Sequence, residues 1–182
     1  MASIRSLLQD KVAKLVCKSF TFEEVRDVSP HFRRLRISSD ALRTSSSVSA
    51  GDKVQIMVPE SGPRTYSPFA HDVTRSSVDL LAYVHDDGAT ARWLRAAARG
   101  GELLIFGPRG SLALGTLAGP VVLFGDETSY GAAAALRGAR TAGDSLAFVF
   151  ECSDPDESAT ALRDVGIEPH ALVRREPGAL HL

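Results

Sequence analysis

The hydrophobic grammar of the chain changes once, across Gly115-Thr116-Leu117-Ala118-Gly119, an uncharged glycine-rich stretch. Before it lie short runs with two-residue alternation, separated by glycine, proline and serine turns. Their spacing predicts strands over 16–28, 32–37, 52–58, 78–85 and 103–106. One helix is predicted over 89–98, stopped by Gly100-Gly101. After the change come a fully apolar strand over 121–124, an alanine-rich helix to about Arg140, a strand over 145–151, a helix over 156–165 and a strand over 170–174. The first grammar is that of a small antiparallel barrel, the second that of a parallel β-α-β-α-β sheet. The chain is therefore expected to fold as a barrel over 16–116 and an α/β domain over 117–182. A helix over 1–15 precedes them, because Ile4, Leu7, Leu8, Val12 and Leu15 form one apolar stripe. That stripe suits packing on the body or on a partner, a homodimer included.

Bulk properties exclude some functions. A net charge of −1 gives no global attraction to nucleic acid or an anionic membrane. No apolar run reaches the ~18 residues of a membrane span. Arg5, Gln9, Asp10 and Lys11 make the first fifteen residues too polar for a signal peptide. The only cysteines are Cys17 and Cys152, so neither a disulfide framework nor a cysteine zinc site is expected. No His, Asp or Glu cluster has metal-ligand spacing. A cytoplasmic protein with reduced thiols is the expectation. Arg33, Arg34 and Arg36 read as a solvated sheet face, since no aromatic residues interleave them for base stacking. Residues 44–50 read as a polar loop.

Three stretches carry chemistry. Arg64-Thr65-Tyr66-Ser67 follows the turn Pro59-Glu60-Ser61-Gly62-Pro63. In a strand, Arg64 and Tyr66 share a side and present one planar cation and one flat ring, with Ser67 as a small donor beside them. A flat, phosphate-bearing ligand needs those groups; an edge strand with a surface arginine would look the same. The second stretch, His85-Asp86-Asp87-Gly88-Ala89-Thr90, ends at a helix N-terminus, where free N–H groups suit a phosphate. Asp86 and Asp87 point the other way: they suit a helix cap and would repel a phosphate if aimed inward, and alone the stretch reads first as an N-cap. The third, Gly125-Asp126-Glu127-Thr128, sits at the strand-to-helix turn where doubly wound sheets bind dinucleotides, without the G-x-G-x-x-G pattern. No serine or cysteine nucleophile motif accompanies them, and no side chain is singled out as catalytic.

In order, Arg64-Thr65-Tyr66-Ser67, His85-x-x-Gly88-x-Thr90-x-x-Trp93, Gly107-Pro108-Arg109-Gly110-Ser111 and Gly125-Asp126-Glu127-Thr128 resemble the siderophore-interacting proteins. These are a flavin-binding branch of the ferredoxin-NADP reductase superfamily. The resemblance spans about 16–150. It implies a six-stranded flavin-binding barrel followed by a Rossmann-like nucleotide-binding sheet, here shortened, and NAD(P)H-dependent reduction of ferric siderophores through FAD. It also implies roles. Arg64 would hold the FAD diphosphate, with Thr65 beside it. Tyr66 would stack on the isoalloxazine and Ser67 would bond near its N5. Val84, His85, Gly88, Ala89 and Thr90 would take the diphosphate and adenine side. Asp126, Glu127 and Thr128 would lie in the pyridine-nucleotide cleft. The chain departs from the family pattern at Phe69, where an arginine is usual, and at Tyr130-Gly131, where a proline is usual. Three functions follow as expectations: an FAD oxidoreductase acting on a ferric chelate; a non-reductive enzyme, such as a cyclase on a biosynthetic intermediate; and a flavin- or partner-binding subunit.

Overall fold

The computed structural model describes residues 16–43, 48–85, 87–141 and 143–176. The helix expected over 1–15 and part of the 44–50 loop lie outside the described residues.

Seven strands form one antiparallel sheet: β1 (Lys18–Ser29), β2 (Phe32–Ser38), β3 (Lys53–Val58), β4 (Gly62–Tyr66), β5 (Phe69–Asp72), β6 (Ser77–Tyr83) and β7 (Glu102–Arg109). Their order is β4-β3-β7-β1-β2-β6-β5. The two edge strands, β4 and β5, are consecutive in the chain and joined by the corner Ser67-Pro68. The sheet thus curls like a barrel, but β4 and β5 share no ladder, so it does not close. The family resemblance implied six strands; the short β5 is the seventh. Pro63 fits in β4 because an edge strand needs no donor on its outer side.

Inward-facing residues alternate as the sequence requires. Leu35 and Ile37, Val54 and Ile56, Leu80 and Ala82, with Leu103 and Ile105, form one core, sealed by Ala91 and Leu94 of α1 (Ala89–Ala96). Phe106, at the end of the apolar run Leu103-Leu104-Ile105-Phe106, is exposed on the outer face.

The parallel part contains β8 (Val121–Gly125), α2 (Tyr130–Gly138), β9 (Leu146–Cys152), α3 (Pro155–Asp164) and β10 (Ala171–Arg174). Its strand order is β10-β9-β8. Both helices cover the face of Leu123, Phe148, Phe150 and Leu172. Among the described residues, the strand over 121–125, fully apolar in sequence, is therefore covered on one side only.

The arginines of β2 are not a solvated face. Arg34 and Arg36 both bind Asp79 of β6, which is fully buried; Arg36 Nε donates to Asp79 Oδ1 over 2.7 Å. Arg34 also donates to the carbonyl of Asp164 at the end of α3, over 3.0 Å. Arg33 turns to the other side and donates to the carbonyls of Leu94 and Ala97, closing the C-terminal end of α1. Arg26 meets Asp164 at 2.7 Å, while Ser29 and His31 meet Glu157 at 3.3 and 3.0 Å. Both ends of α3 are thereby tied to the antiparallel sheet.

The two departures from the family pattern lie in this same seam. Phe69 is buried against Ala134 and Ala135 of α2, with the Arg34 guanidinium 5.3 Å from its ring centre. Tyr130 stacks on Phe32 of β2 at 5.5 Å and meets Phe150 edge-on at 4.8 Å. Aromatic burial thus joins the two sheets at the positions where the pattern differs.

Candidate functional site

The turn from β3 to β4 and the start of α1 converge on one arginine. Arg64 Nη2 donates to Ser61 Oγ over 2.6 Å, Nε to Thr90 Oγ1 over 3.1 Å, and Nη1 to the Pro63 carbonyl over 3.1 Å. Ser61 and Thr90 also bond each other at 2.7 Å. An exposed arginine normally samples many rotamers; these bonds hold Arg64 in one direction before any ligand arrives.

α1 starts at Ala89 with Gly88 as its cap residue and no side-chain capping bond. Asp87 does not cap it: its carboxylate accepts from Arg95 over 2.8 Å. The Asp87 carboxylate is thus paired with a cation, and the first-turn N–H groups and the positive end of the helix dipole stand beside Arg64. Asp86 lies outside the described residues.

Between these groups lies a cleft of about 330 Å³. Arg64, Thr65, Tyr66, Val84, His85, Gly88, Ala89, Thr90 and Thr128 all border it. Burial pushes the Tyr66 phenol up to about 12, against the lowering effect of Arg64, so it stays a neutral, flat surface at physiological pH. The arrangement fits a flat ligand bearing a phosphate: one pre-held cation, one uncapped helix start and one half-buried ring. Ser61, Leu81, Tyr83 and Leu94 also border the cleft. Sequence reading passed over them. Ser61 carried a signal as the hydroxyl in the turn before Arg64, and Tyr83 as the alternation partner of His85.

Ser67 is not among the residues bordering this cleft. Its carbonyl packs on the start of α2, where a Cβ added to Gly131 would come within 2.9 Å of it. Only glycine allows that approach, so Gly131 seats the α/β part against the Arg64 strand. Gly131→Ala is expected to cost about 1–3 kcal/mol, as overpacking does, read as a lowered midpoint in urea unfolding. An unchanged midpoint would show that the corner yields freely.

The third stretch is organised differently. Asp126 accepts from the Thr128 N–H over 2.9 Å and from its hydroxyl over 2.6 Å. Ser129 fills the space beside Gly125, where a Cβ would lie 2.4 Å from its Oγ. Glu127 is buried and accepts from the Ser153 N–H over 2.6 Å and from Arg175 over 2.9 Å. Arg175 also meets Glu151 at 3.3 Å. Asp126, Glu151 and Arg175 border a second cleft of about 340 Å³, which shares Thr128 with the first. Within it the Thr128 N–H and the Arg175 guanidinium are held by the chain's own carboxylates. Arg175, at the end of β10, had no motif to mark it.

Burial alone would raise the Glu127 carboxyl. The Ser153 N–H and the Arg175 guanidinium outweigh it and hold the carboxyl below its ordinary value. A carboxylate lowered on folding contributes stability above its unfolded pKa, and that contribution is lost as pH falls through the folded one. Glu127→Gln is therefore expected to flatten the acid limb of the stability–pH curve below about pH 4.5, measured by thermal unfolding from pH 7 to 3. A wild-type acid limb in the variant would remove Glu127 from that role.

Among the described residues, no helix is long and apolar enough to cross a membrane, and no three His, Cys, Asp or Glu side chains are grouped to hold a metal.

Residues 60–112 match the family described as the siderophore-interacting FAD-binding domain. No curated protein matches the chain. Among solved structures, the chain is similar to the siderophore-interacting protein of Acinetobacter baumannii, with 20% identity and a TM-score of 0.68 over 90% of this chain and 68% of that one. The siderophore-interacting protein SipS of Aeromonas hydrophila is similar at 22% identity and TM-score 0.69, over 90% and 68%. Phthalate dioxygenase reductase, described as a modular structure for electron transfer from pyridine nucleotides to a [2Fe-2S] centre, is similar at 15% and 0.67, over 89% and 52%. The barrel-like antiparallel sheet followed by a small parallel sheet is the fold these proteins share. Over residues 60–112 the chain is thus similar to the siderophore-interacting FAD-binding domain, and its fold is the one it shares with these siderophore-interacting proteins and reductases.

Proposed function

We propose that the chain is a flavin-dependent oxidoreductase that holds FAD in the Arg64 cleft and passes its electrons to a small ferric chelate or to a partner's flavin. The observation that carries this reading is the convergence of Arg64, held by Ser61 and Thr90, with the uncapped start of α1 and the Tyr66 ring. In this reading Arg64 and the N–H groups of Ala89 and Thr90 hold the diphosphate. Tyr66 stacks on the ring system, and Thr65, Val84 and His85 border it. The Ser67 hydroxyl, at the corner after β4, is assigned the polar edge of the flavin. FAD supplies the redox chemistry when bound. The chain's residues bind, orient and shield it, so no protein nucleophile is required. The barrel domain is assigned to 16–116 and the α/β domain to 117–182. A cytoplasmic location accords with free Cys17 and Cys152.

A second reading has a specific observation behind it. The Asp126 turn is closed on itself and Arg175 is held by two carboxylates, which favours a flavin-barrel enzyme that takes no hydride from a pyridine nucleotide. One absorbance experiment separates the readings. Purified protein is mixed with FAD, freed of excess, and then given NADPH under anaerobic conditions. Protein that retains no flavin overturns the assignment. Retained flavin that NADPH bleaches within seconds excludes the second reading; retained flavin that stays oxidised supports it.

A further inference from the structure

Glu127 is a buried carboxylate that the binding scheme above does not use. A buried ion pair gains little stability over apolar side chains of similar volume, so its partners are the guide to its use. Glu127 Oε1 accepts from the Ser153 N–H over 2.6 Å. Arg175 donates both to Glu127, over 2.9 Å, and to Ser153 Oγ, over 3.0 Å. Ser153, just after β9, is exposed, yet it is fixed from two sides, through its N–H and through its hydroxyl oxygen. That oxygen also faces the Tyr83 hydroxyl, which donates to it over 3.4 Å.

Tyr83 is the last residue of β6 and borders the Arg64 cleft. Its ring centre lies 4.9 Å from that of Phe32 and 5.5 Å from that of His85. The antiparallel sheet thus seats the ring, while the hydroxyl reaches across to the end of β9 in the parallel part. A tyrosine ring swings on χ1 and χ2, and holding both its face and its hydroxyl limits that swing. Burial keeps the Tyr83 phenol above its ordinary value, against the lowering effect of Ser153, so it stays a neutral donor at physiological pH.

We propose that Ser153, held by Glu127 and Arg175, is a positioning residue for Tyr83, and that Tyr83 is a second aromatic wall of the flavin cleft beside Tyr66. The proposal rests on the flavin reading of that cleft. It gives the Gly125-Asp126-Glu127-Thr128 turn a use there: Thr128 borders the cleft directly, and Glu127 acts on it through Ser153 and Tyr83. The two parts of the molecule build this wall together, since β6 supplies the ring and the end of β9 sets its direction. At 3.4 Å the Tyr83–Ser153 bond is longer than the ~2.7–2.8 Å usual between hydroxyls. Such a bond aims a side chain and adds little strength of its own.

Fluorescence titration with FAD tests this. Tyr83→Ala is expected to weaken binding about 10-fold, within the range for taking an aromatic ring from a stacked heterocycle. Ser153→Ala is expected to weaken it about 3-fold, the low end for one hydrogen bond, with an unchanged urea midpoint because Ser153 is exposed. Added to Tyr83→Ala or to Tyr83→Phe, Ser153→Ala is expected to cost nothing more, since its effect passes through the Tyr83 hydroxyl. Glu127→Ala is expected to match Ser153→Ala, and Glu127→Gln, which keeps an acceptor for the Ser153 N–H, to recover most of the loss. The visible circular dichroism of bound FAD, which senses the surroundings of its ring, is expected to change alike in Tyr83→Phe and Ser153→Ala. A Tyr83→Ala variant that binds FAD as the wild type does removes the wall. A Ser153→Ala loss that is as large without the Tyr83 hydroxyl as with it overturns the positioning role. Wild-type protein that retains no flavin overturns the reading of the cleft and this proposal with it, whereas retained flavin with additive variants overturns this proposal alone. If Glu127→Ala fails to fold, the Ser153 and Tyr83 variants still decide.

Discussion

Asp79→Ala is expected to destabilise the protein by about 3–5 kcal/mol, the cost of removing one partner from a buried ion pair. Asp79 has no exposure, and the two guanidiniums that bind it are only 22% and 28% exposed. The substitution would leave two half-buried cations side by side on β2 with no carboxylate between them. Such a loss is large beside the ~5–15 kcal/mol that a domain of this kind has in total. Its reach goes beyond the antiparallel sheet, because Arg34 also holds the Asp164 carbonyl at the end of α3. Urea unfolding followed by tryptophan fluorescence measures the loss, with Trp93 as the only tryptophan. Replacing all three charges together, as Arg34→Met, Arg36→Met and Asp79→Leu, is expected to recover most of it, since hydrophobic replacements of a buried charge cluster are often neutral. A single Asp79→Ala variant as stable as wild type would mean that the two arginines find solvent readily.

Arg64→Ala is expected to weaken FAD binding by about 10- to 100-fold, the range for losing charge-assisted hydrogen bonds to a phosphate. Stability should change little, because Arg64 is exposed and sits on an edge strand. Arg64→Lys is expected to recover only part of the affinity. Arg64 Nη2 and Nε reach Ser61 and Thr90 as a planar fork, which an ammonium cannot reproduce. Thr90→Val separates the charge from its positioning: the cation stays, but one of the bonds that aim it is lost. Fluorescence titration with FAD reads all three variants. Equal affinity of Arg64→Ala and wild type would place the diphosphate elsewhere, with the helix start of α1 the remaining anion site in the cleft.

Much of this molecule is determined by its sequence alone. Alternation with period two in β3 and in the Leu80, Ala82 and Val84 stretch fixes which side chains face the core, because a strand's side chains must alternate. The change of grammar after Leu114 separates the antiparallel part from the parallel one. The spacing in Arg64-Thr65-Tyr66-Ser67 puts the cation and the ring on one side of a strand. These are local consequences of covalent geometry, and a sequence displays them. What only the tertiary structure decided depends on residues far apart in the chain. Asp79 lies 45 positions from Arg34 and 43 from Arg36, so an arginine run that reads as solvated becomes a buried clamp once β2 pairs with β6. Asp87 could cap α1 by its position, but Arg95 draws it away. Arg175 closes on Glu127 from 48 residues away and occupies a turn that sequence reads as open. The strand over 121–125 is apolar throughout, yet only the placement of α2 and α3 decides which side of it is covered among the described residues. Charge pairing and helix placement are long-range choices, set by whichever partner packing brings within reach.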